Sequence, residues 1–203
     1  GSSRLTSAKE TGALLIELAS TLLVLRASRV VVCADRHEVL AAAQAASYLH
    51  VPLLHLQGGE RSGSIDDKVR NAITQLADAH TVSTTVARYR VYALTGNWAN
   101  IHHTGCPSID LAREALDAPR VTSDELGGVG PSIDLQRQFM VILQHPVTDE
   151  SDDATDQLAI TLAACRLVPL PQVYLWPGQD AGSESMAKVV RAYREAHPAQ
   201  TFC

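Results

Sequence analysis

The chain has 203 residues, of which 46% are hydrophobic and 19% charged, a balance typical of a folded protein with a sizeable core. The net charge is −5 and no long run of lysine or arginine occurs, which argues against a nucleic-acid partner because phosphate contacts need clustered basic side chains. No apolar run approaches the ~18 residues of a membrane helix, so we expect no membrane association. Aromatic residues are scarce at 4%, which suits helices packed on a sheet better than an all-β sandwich.

The strand and helix signals alternate along the chain. Short apolar, β-branched stretches lie at 29–34, 51–56, 80–83, 100–104, 139–144 and 172–176. Helical patterns lie at about 8–27, 36–49, 66–79, 85–95, 108–116, 152–166 and 183–196. A strand followed by a helix, repeated, predicts an α/β fold with parallel, Rossmann-like sheets joined by crossover helices.

One long stretch, 117–138, shows neither the helical nor the strand period of apolar residues and is rich in proline and glycine. We interpret it as a linker. The predicted domains are therefore residues 1–116 and 139–203. The GGVG sequence within 117–138 resembles a phosphate loop only superficially, because no strand closely precedes it. The chain opens on a helix and closes where another strand is due, so we expect a fold that is incomplete at both ends.

The cysteines are far apart in sequence and form no CxxC pair, which favours free thiols in a cytoplasmic protein. The polar start GSSRLTSAKE does not have the pattern of a signal peptide. The histidines show no metal-ligand spacing, so neither a metal nor another cofactor is assigned.

The residues that follow the predicted strands carry the candidate chemistry, because open parallel sheets bind ligands beyond the carboxyl ends of their strands. In chain order these residues are Asp35, Arg36, Gly58, Gly59, Glu60, Gly105, His145 and Asp180. Acids, a histidine and glycines thus recur at one predicted edge.

Each candidate also has a structural interpretation. Asp35 could cap the helix that follows it, and Asp66 and Asp67 stand at a helix start, where negative charge is favoured by ~0.3–1 kcal/mol. Arg70 could pair with either acid on the helix face or point at a phosphate. His145 precedes a proline and could be a hydrogen-bonded structural residue. Two glycines before Glu60 cost backbone entropy, which favours a loop that a ligand approaches closely.

Five motifs occur in a fixed order: ADRHEVLAAAQ from residue 34, GGERSGSIDDKVR from 58, GCPSID from 105, QHPVT from 144 and WPGQDAGSES from 176. Together they resemble the UDP-N-acetylglucosamine 2-epimerase family, with the short GGERSGSIDDKVR loop similar to its hydrolysing branch. The resemblance runs from about residue 8 to the end of the chain.

The resemblance implies two Rossmann-like halves of the glycosyltransferase-B type facing a cleft. It implies that a UDP-sugar is the substrate and that the chain forms a homodimer. Hydrolysing members lose UDP together with the C2 proton to give a glycal, then add water with inversion at C2, forming N-acetylmannosamine for sialic and related nonulosonic acids. Such a path needs acids and bases of tuned pKa around one sugar ring.

Carried over by position, the resemblance implies catalytic roles for Asp35, Glu60, Asp66 or Asp67, and His145. It implies substrate contacts for a further set of residues: Arg36, Gly58, Gly59, Ser62, Arg70, Gly105, Asp180 and Gly182. Which acid performs which proton transfer stays open.

The chain departs from the family at Ala34, Asn71 and Gly178, where Gly, His and Asn are common. Family members are also much longer, and the first strand and the late loops that hold UDP have no counterpart here. Two further functions therefore stay open. One is a non-hydrolysing epimerase that re-adds UDP, and the other is a truncated, non-catalytic homologue that acts by binding.

Overall fold

The structure is a computed structural model that describes residues 3–33, 35–178 and 180–203, so Ala34 lies outside the described residues. The helices are α1 (Arg4–Val24), α2 (His37–Tyr48), α3 (Asp66–Leu76), α4 (Thr85–Thr95), α5 (Pro107–Asp117), α6 (Ala154–Cys165) and α7 (Ser183–Ala196). The strands are β1 (Val30–Cys33), β2 (Leu53–Leu56), β3 (Ala79–Val82), β4 (Ile101–His103), β5 (Met140–Ile142), β6 (Gln172–Tyr174) and β7 (Thr201–Phe202). The predicted α/β class with parallel sheets is confirmed.

The chain divides into two compact units, with the first spanning Leu5–Asp117. Its sheet has the order β1-β2-β3-β4 with every neighbouring pair parallel. Because successive strands step in one direction and crossovers are right-handed, α2, α3 and α4 fall on the same face of the sheet. That face holds a core around Val32, Leu53 and Ile73, whereas Val31, which points the other way, is 59% exposed.

The second unit contains residues 118–203 and has a parallel sheet of order β5-β6-β7. Helices α6 and α7 cover it through a core that includes Leu158, Leu162, Tyr174 and Met186. Each unit therefore has its own hydrophobic core.

The segment predicted to be a linker begins with the last residue of α5, Asp117, and the rest of it, 118–138, is part of the second unit. Residues 118–138 contain neither a helix nor a strand, but Ile133 is buried against Val173 and Phe202. Val129 exchanges two backbone hydrogen bonds with Cys203, at 2.6 and 3.0 Å. Its glycines and prolines therefore shape an irregular layer over the β7 end of the sheet. Among the described residues, no helix is both long and apolar enough to cross a bilayer.

Candidate active site

Arg70 organises the carboxyl-terminal edge of the first sheet. It lies on the second turn of α3 and is only 5% exposed. Its guanidinium forms an ion pair with Asp35, which follows β1, and with Asp67 at 2.6 Å. It also donates to the carbonyl oxygen of Glu60 at 2.8 Å. We call Arg70, Asp35, Asp67 and the Glu60 carbonyl the Arg70 cluster.

Asp67 holds the loop between β2 and α3 in place. Its carboxylate accepts hydrogen bonds from the backbone N–H groups of Ser62 and Gly63 at 2.8 and 2.9 Å, and from the Ser62 hydroxyl at 3.1 Å. These N–H groups, together with the Arg70 guanidinium, hold the pKa of the Asp67 carboxyl far below its ordinary value. Asp67 is therefore an anion throughout the neutral range and cannot exchange a proton there.

The other two acids of this edge have different surroundings. Asp66 accepts a hydrogen bond from the Ser64 hydroxyl at 2.8 Å. Asp35 does not cap α2, since Arg36 occupies the N-cap position and no side chain caps that helix end. The ion pair with Arg70 is thus the contact that fixes the Asp35 carboxylate.

Glu60 lines a cavity of about 380 Å³, a size in the range of small-molecule sites. Arg61, Asp67, Asn71 and Arg90 also line it, so charges of both signs surround the space. Within the described part of the chain, the Glu60 carboxylate makes neither a hydrogen bond nor an ion pair. A half-buried carboxylate that lines a cavity without a partner among the described residues is placed where it could reach a proton of a bound ligand.

The two glycines before Glu60 are buried against their own chain, and the close approach of a ligand to this loop stays a prediction. Gly59 has a left-handed φ of 78°, and a Cβ there would lie 2.9 Å from the carbonyl carbon of Ala87. A Cβ on Gly58 would lie 3.2 Å from Nδ1 of His55. The glycines therefore let the loop pack on α4 and on the residues beneath it, which orients Glu60.

His145 belongs to the second unit, where it follows β5 and is exposed. Its Nδ1 accepts a hydrogen bond from the backbone N–H of Gly178 at 3.0 Å, so the neutral ring carries its proton on Nε2. A Cβ on Gly178 would lie 3.4 Å from the Asp180 carboxylate. Gly182, with a left-handed φ of 93°, packs against Pro146 and Ser151. The second unit thus brings His145, Asp180 and Gly182 to one edge, and their convergence with the Arg70 cluster stays a prediction.

The remaining predicted residues have local roles in the structure. Arg36 bonds to Glu38 at 3.1 Å, and Ser62 bonds to Asp67. Gly105 has a left-handed φ of 86° with open space around it. It precedes Cys106, whose thiol pKa is lowered by the backbone N–H groups of Ser108 and Ile109 at the start of α5.

Sequence reasoning missed Arg61 and Arg90 as lining residues, and it noted Asn71 only as a departure from the family. Arg90 donates to the carbonyl oxygen of Gly59 at 3.1 Å across 31 residues of sequence. It lies on the helix after the next strand, and no local pattern points from that helix to the Glu60 loop. Only the strand order, which sets α4 beside α3, could have indicated the contact.

Known proteins resemble this chain over most of its length. The family model described as UDP-N-acetylglucosamine 2-epimerase matches residues 1–202. A hydrolysing UDP-N,N'-diacetylbacillosamine 2-epimerase of Legionella pneumophila is 31% identical over 83% of this chain. The match covers 44% of that relative, so the chain spans less than half its length.

Two solved structures share the fold. UDP-GlcNAc 2-epimerase of Methanocaldococcus jannaschii, in complex with UDP-GlcNAc and UDP, matches 96% of this chain with a TM-score of 0.72 and 16% identity. The enzyme from Neisseria meningitidis bound to UDP-GlcNAc matches 96% with a TM-score of 0.71 and 15% identity. In both cases the match covers 54% of the solved chain. With the family model matching almost every residue, the chain belongs to the UDP-N-acetylglucosamine 2-epimerase family.

Proposed function

We propose that this chain carries the sugar-side chemistry of a hydrolysing UDP-sugar 2-epimerase. The observation that carries the proposal is the uncommitted Glu60 carboxylate, which lines a cavity beside the Arg70 cluster. The proposed substrate is a UDP-linked 2-acetamido sugar, and the products are UDP and the free sugar with the opposite configuration at C2.

The reaction proceeds in two balanced steps. A base removes the C2 proton while the C1–O bond breaks, so that UDP leaves with the bonding electrons and a C1–C2 double bond forms. Water then adds its oxygen to C1 and loses a proton, while C2 receives a proton from the opposite face. Both steps require groups that can change protonation state near neutral pH.

The surroundings of the acids support different roles for them. Glu60 is the proposed proton-transfer group at C2, because it lines the cavity and no described residue bonds to its carboxylate. Asp67 is a positioning residue, because its pKa is far too low for proton exchange. Asp35 and Asp66 are the candidates for the second proton transfer. Arg70 fixes the position of Asp35 relative to the Glu60 loop, because it bonds to both.

His145 and its neighbours in the second unit are the proposed contacts to the sugar or diphosphate. The His145 Nδ1 already accepts a hydrogen bond from the Gly178 N–H, so the ring proton is on Nε2. This Nε2–H can donate a hydrogen bond to an anionic oxygen of the substrate. The substrate is either the UDP-N-acetylglucosamine or a diacetylated bacillosamine derivative, the latter favoured by the names of two relatives.

A test of this function identifies the products formed from UDP-N-acetylglucosamine and from UDP-N,N'-diacetylbacillosamine. We expect UDP and a free 2-epimerised sugar in equal amounts from one of the two substrates. A product in which UDP is still attached to the epimerised sugar would indicate the non-hydrolysing reaction instead. Saturable binding of the substrate with no product of either kind would favour a non-catalytic homologue.

A further inference from the structure

A second cavity, of about 300 Å³, lies at the amino-terminal edge of the first sheet, away from the Arg70 cluster. The ends of α3 and α4 meet the starts of β3 and β4 there. Its lining is almost entirely polar and consists of Gln75, Ala77, Asp78, His80, Thr95, Asn97 and Asn100.

The electrostatics of this cavity favour a cation. Helices α3 and α4 both end at it, and the last carbonyl groups of a helix carry a partial negative charge. Neither helix has a basic residue in its last turn to offset that charge. Asp78 adds a carboxylate to the lining of the cavity. The cavity is therefore bordered by the negative ends of two helices and by one carboxylate.

Three of the lining side chains already donate a hydrogen bond within the chain. Gln75 donates its amide N–H to the Leu94 carbonyl at 2.6 Å, and Asn100 donates to the Asp78 carbonyl at 2.8 Å. The Thr95 hydroxyl donates to the carbonyl oxygen of Val91 at 3.0 Å.

Capacity for accepting hydrogen bonds remains in the cavity. The side-chain oxygens of Gln75 and Asn100 stay available, as does Asp78 Oδ1, since Oδ2 accepts from the Leu53 N–H at 2.8 Å. The amide nitrogens of Gln75, Asn97 and Asn100 also keep N–H groups that can donate. Asp78 is the one carboxylate among the described lining residues, and no lysine or arginine lines the cavity with it, so a ligand that carries positive charge together with N–H donors complements this set.

His80 supplies an independent sign of a missing partner. The residue is 2% exposed, and its buried Nδ1 has no hydrogen-bond partner in the part of the chain that the structure describes. Burial lowers the pKa of His80, with Asp78 opposing it, so the ring is neutral at neutral pH. Buried polar atoms without a partner are uncommon in folded proteins and call for an explanation.

We propose that this cavity binds a small organic cation with several N–H donors, of the alkylammonium or guanidinium class. A divalent metal fits less well, because Asp78 is the only carboxylate among the described lining residues and hard cations prefer several oxygen ligands held close together. The volume also suits a molecule of several heavy atoms better than a bare ion.

The test uses agmatine, which carries both a guanidinium and an ammonium group, and the neutral near-isostere N-butylurea. Each is titrated into the ¹⁵N-labelled chain while backbone amide resonances are followed by NMR. We expect saturable shifts confined to residues 75–80 and 95–101, with agmatine binding at least tenfold more tightly than N-butylurea.

Two variants change the charge of the cavity while keeping its local hydrogen bonds. In Gln75→Lys the ammonium can still donate to the Leu94 carbonyl, and agmatine affinity should fall at least tenfold. In Asn97→Asp the side-chain oxygen can still accept from Ala99, and the affinity should rise several-fold. Gln200→Lys, an exposed site in the second unit, is the matched control and should leave the affinity unchanged.

Equal affinities for agmatine and N-butylurea, or shifts that centre elsewhere, would overturn the proposal. So would a Gln75→Lys chain that binds agmatine as well as the Gln200→Lys control does. Magnesium or calcium that shifts the same resonances at lower concentration than agmatine would replace the organic cation with a metal. None of these readouts depends on epimerase activity, so this site and the proposed function can fail separately.

Discussion

At the scale of single residues, Glu60 and Asp67 carry the same chemical group in opposite circumstances. Asp67 accepts hydrogen bonds from two backbone N–H groups, a hydroxyl and a guanidinium, which fixes both its position and its charge. Glu60 contributes only its carbonyl oxygen to the Arg70 cluster and leaves its carboxylate in the cavity. The environment, rather than residue type, thus separates a positioning acid from a candidate base.

Replacing Glu60 with Gln tests the proposed base. Turnover of the UDP-sugar should fall by about 10²–10⁴, the usual worth of a general acid or base, while the melting temperature stays close to that of the wild type. Glu114→Gln, at an exposed position on α5, is the matched control and should keep full turnover. A Glu60→Gln chain with wild-type turnover would remove Glu60 from the chemistry.

The low pKa of Asp67 predicts how stability depends on pH. Because the folded-state pKa lies below the unfolded value of about 3.9, the carboxylate stabilises the folded chain fully above that value and progressively less as pH falls below it. Denaturant unfolding at pH 7 and pH 3 should therefore show a smaller loss of stability for Asp67→Asn than for the wild type. Equal losses in the two chains would contradict the assigned hydrogen bonds.

At the scale of elements, the loop between β2 and α3 depends on Gly59. Gly59→Ala should destabilise the chain by about 3 kcal/mol or more, because the left-handed backbone alone costs ~1–2 kcal/mol and the new methyl group would meet the Ala87 backbone. Gly63→Ala has a similar φ of 84° with open space around it, so it should cost only the backbone term. Equal free energies of unfolding for the two variants would mean that packing on α4 adds nothing.

The elements themselves follow from the sequence, and the contacts between them mostly do not. The helical patterns at 85–95 and 183–196 predict α4 and α7 with the bounds that the structure has. The strand at 139–144 shortens to Met140–Ile142, since pairing with β6 rather than composition decides where it ends. Asp35 and Arg70 meet across 35 residues, and the pattern that placed Asp35 at a strand end left capping equally open. The packing of 118–138 against the second sheet could not be predicted from the sequence either, because glycine and proline indicate an irregular chain whether or not that chain is buried.

At the scale of the whole molecule, two separate cores predict that the units respond separately to core mutations. Leu158, in the second unit, and Ile73, in the first, are 2% and 0% exposed. Replacing either with Ala should cost about 2–5 kcal/mol. Hydrogen exchange should accelerate within 118–203 for Leu158→Ala and within 5–117 for Ile73→Ala. Acceleration throughout the chain in both variants would show that the units unfold together.

In the function that we propose, the Glu60 cavity and the Arg70 cluster exchange the proton at C2 of a UDP-linked 2-acetamido sugar. The most direct measurement is turnover of the UDP-sugar in deuterium oxide, with the sugar product followed by proton NMR. We expect a free 2-epimer that carries one deuterium at C2, and no such product from Glu60→Gln on the same timescale. A product that keeps its original C2 proton, or deuterium incorporation at the same rate without the Glu60 carboxylate, would contradict it.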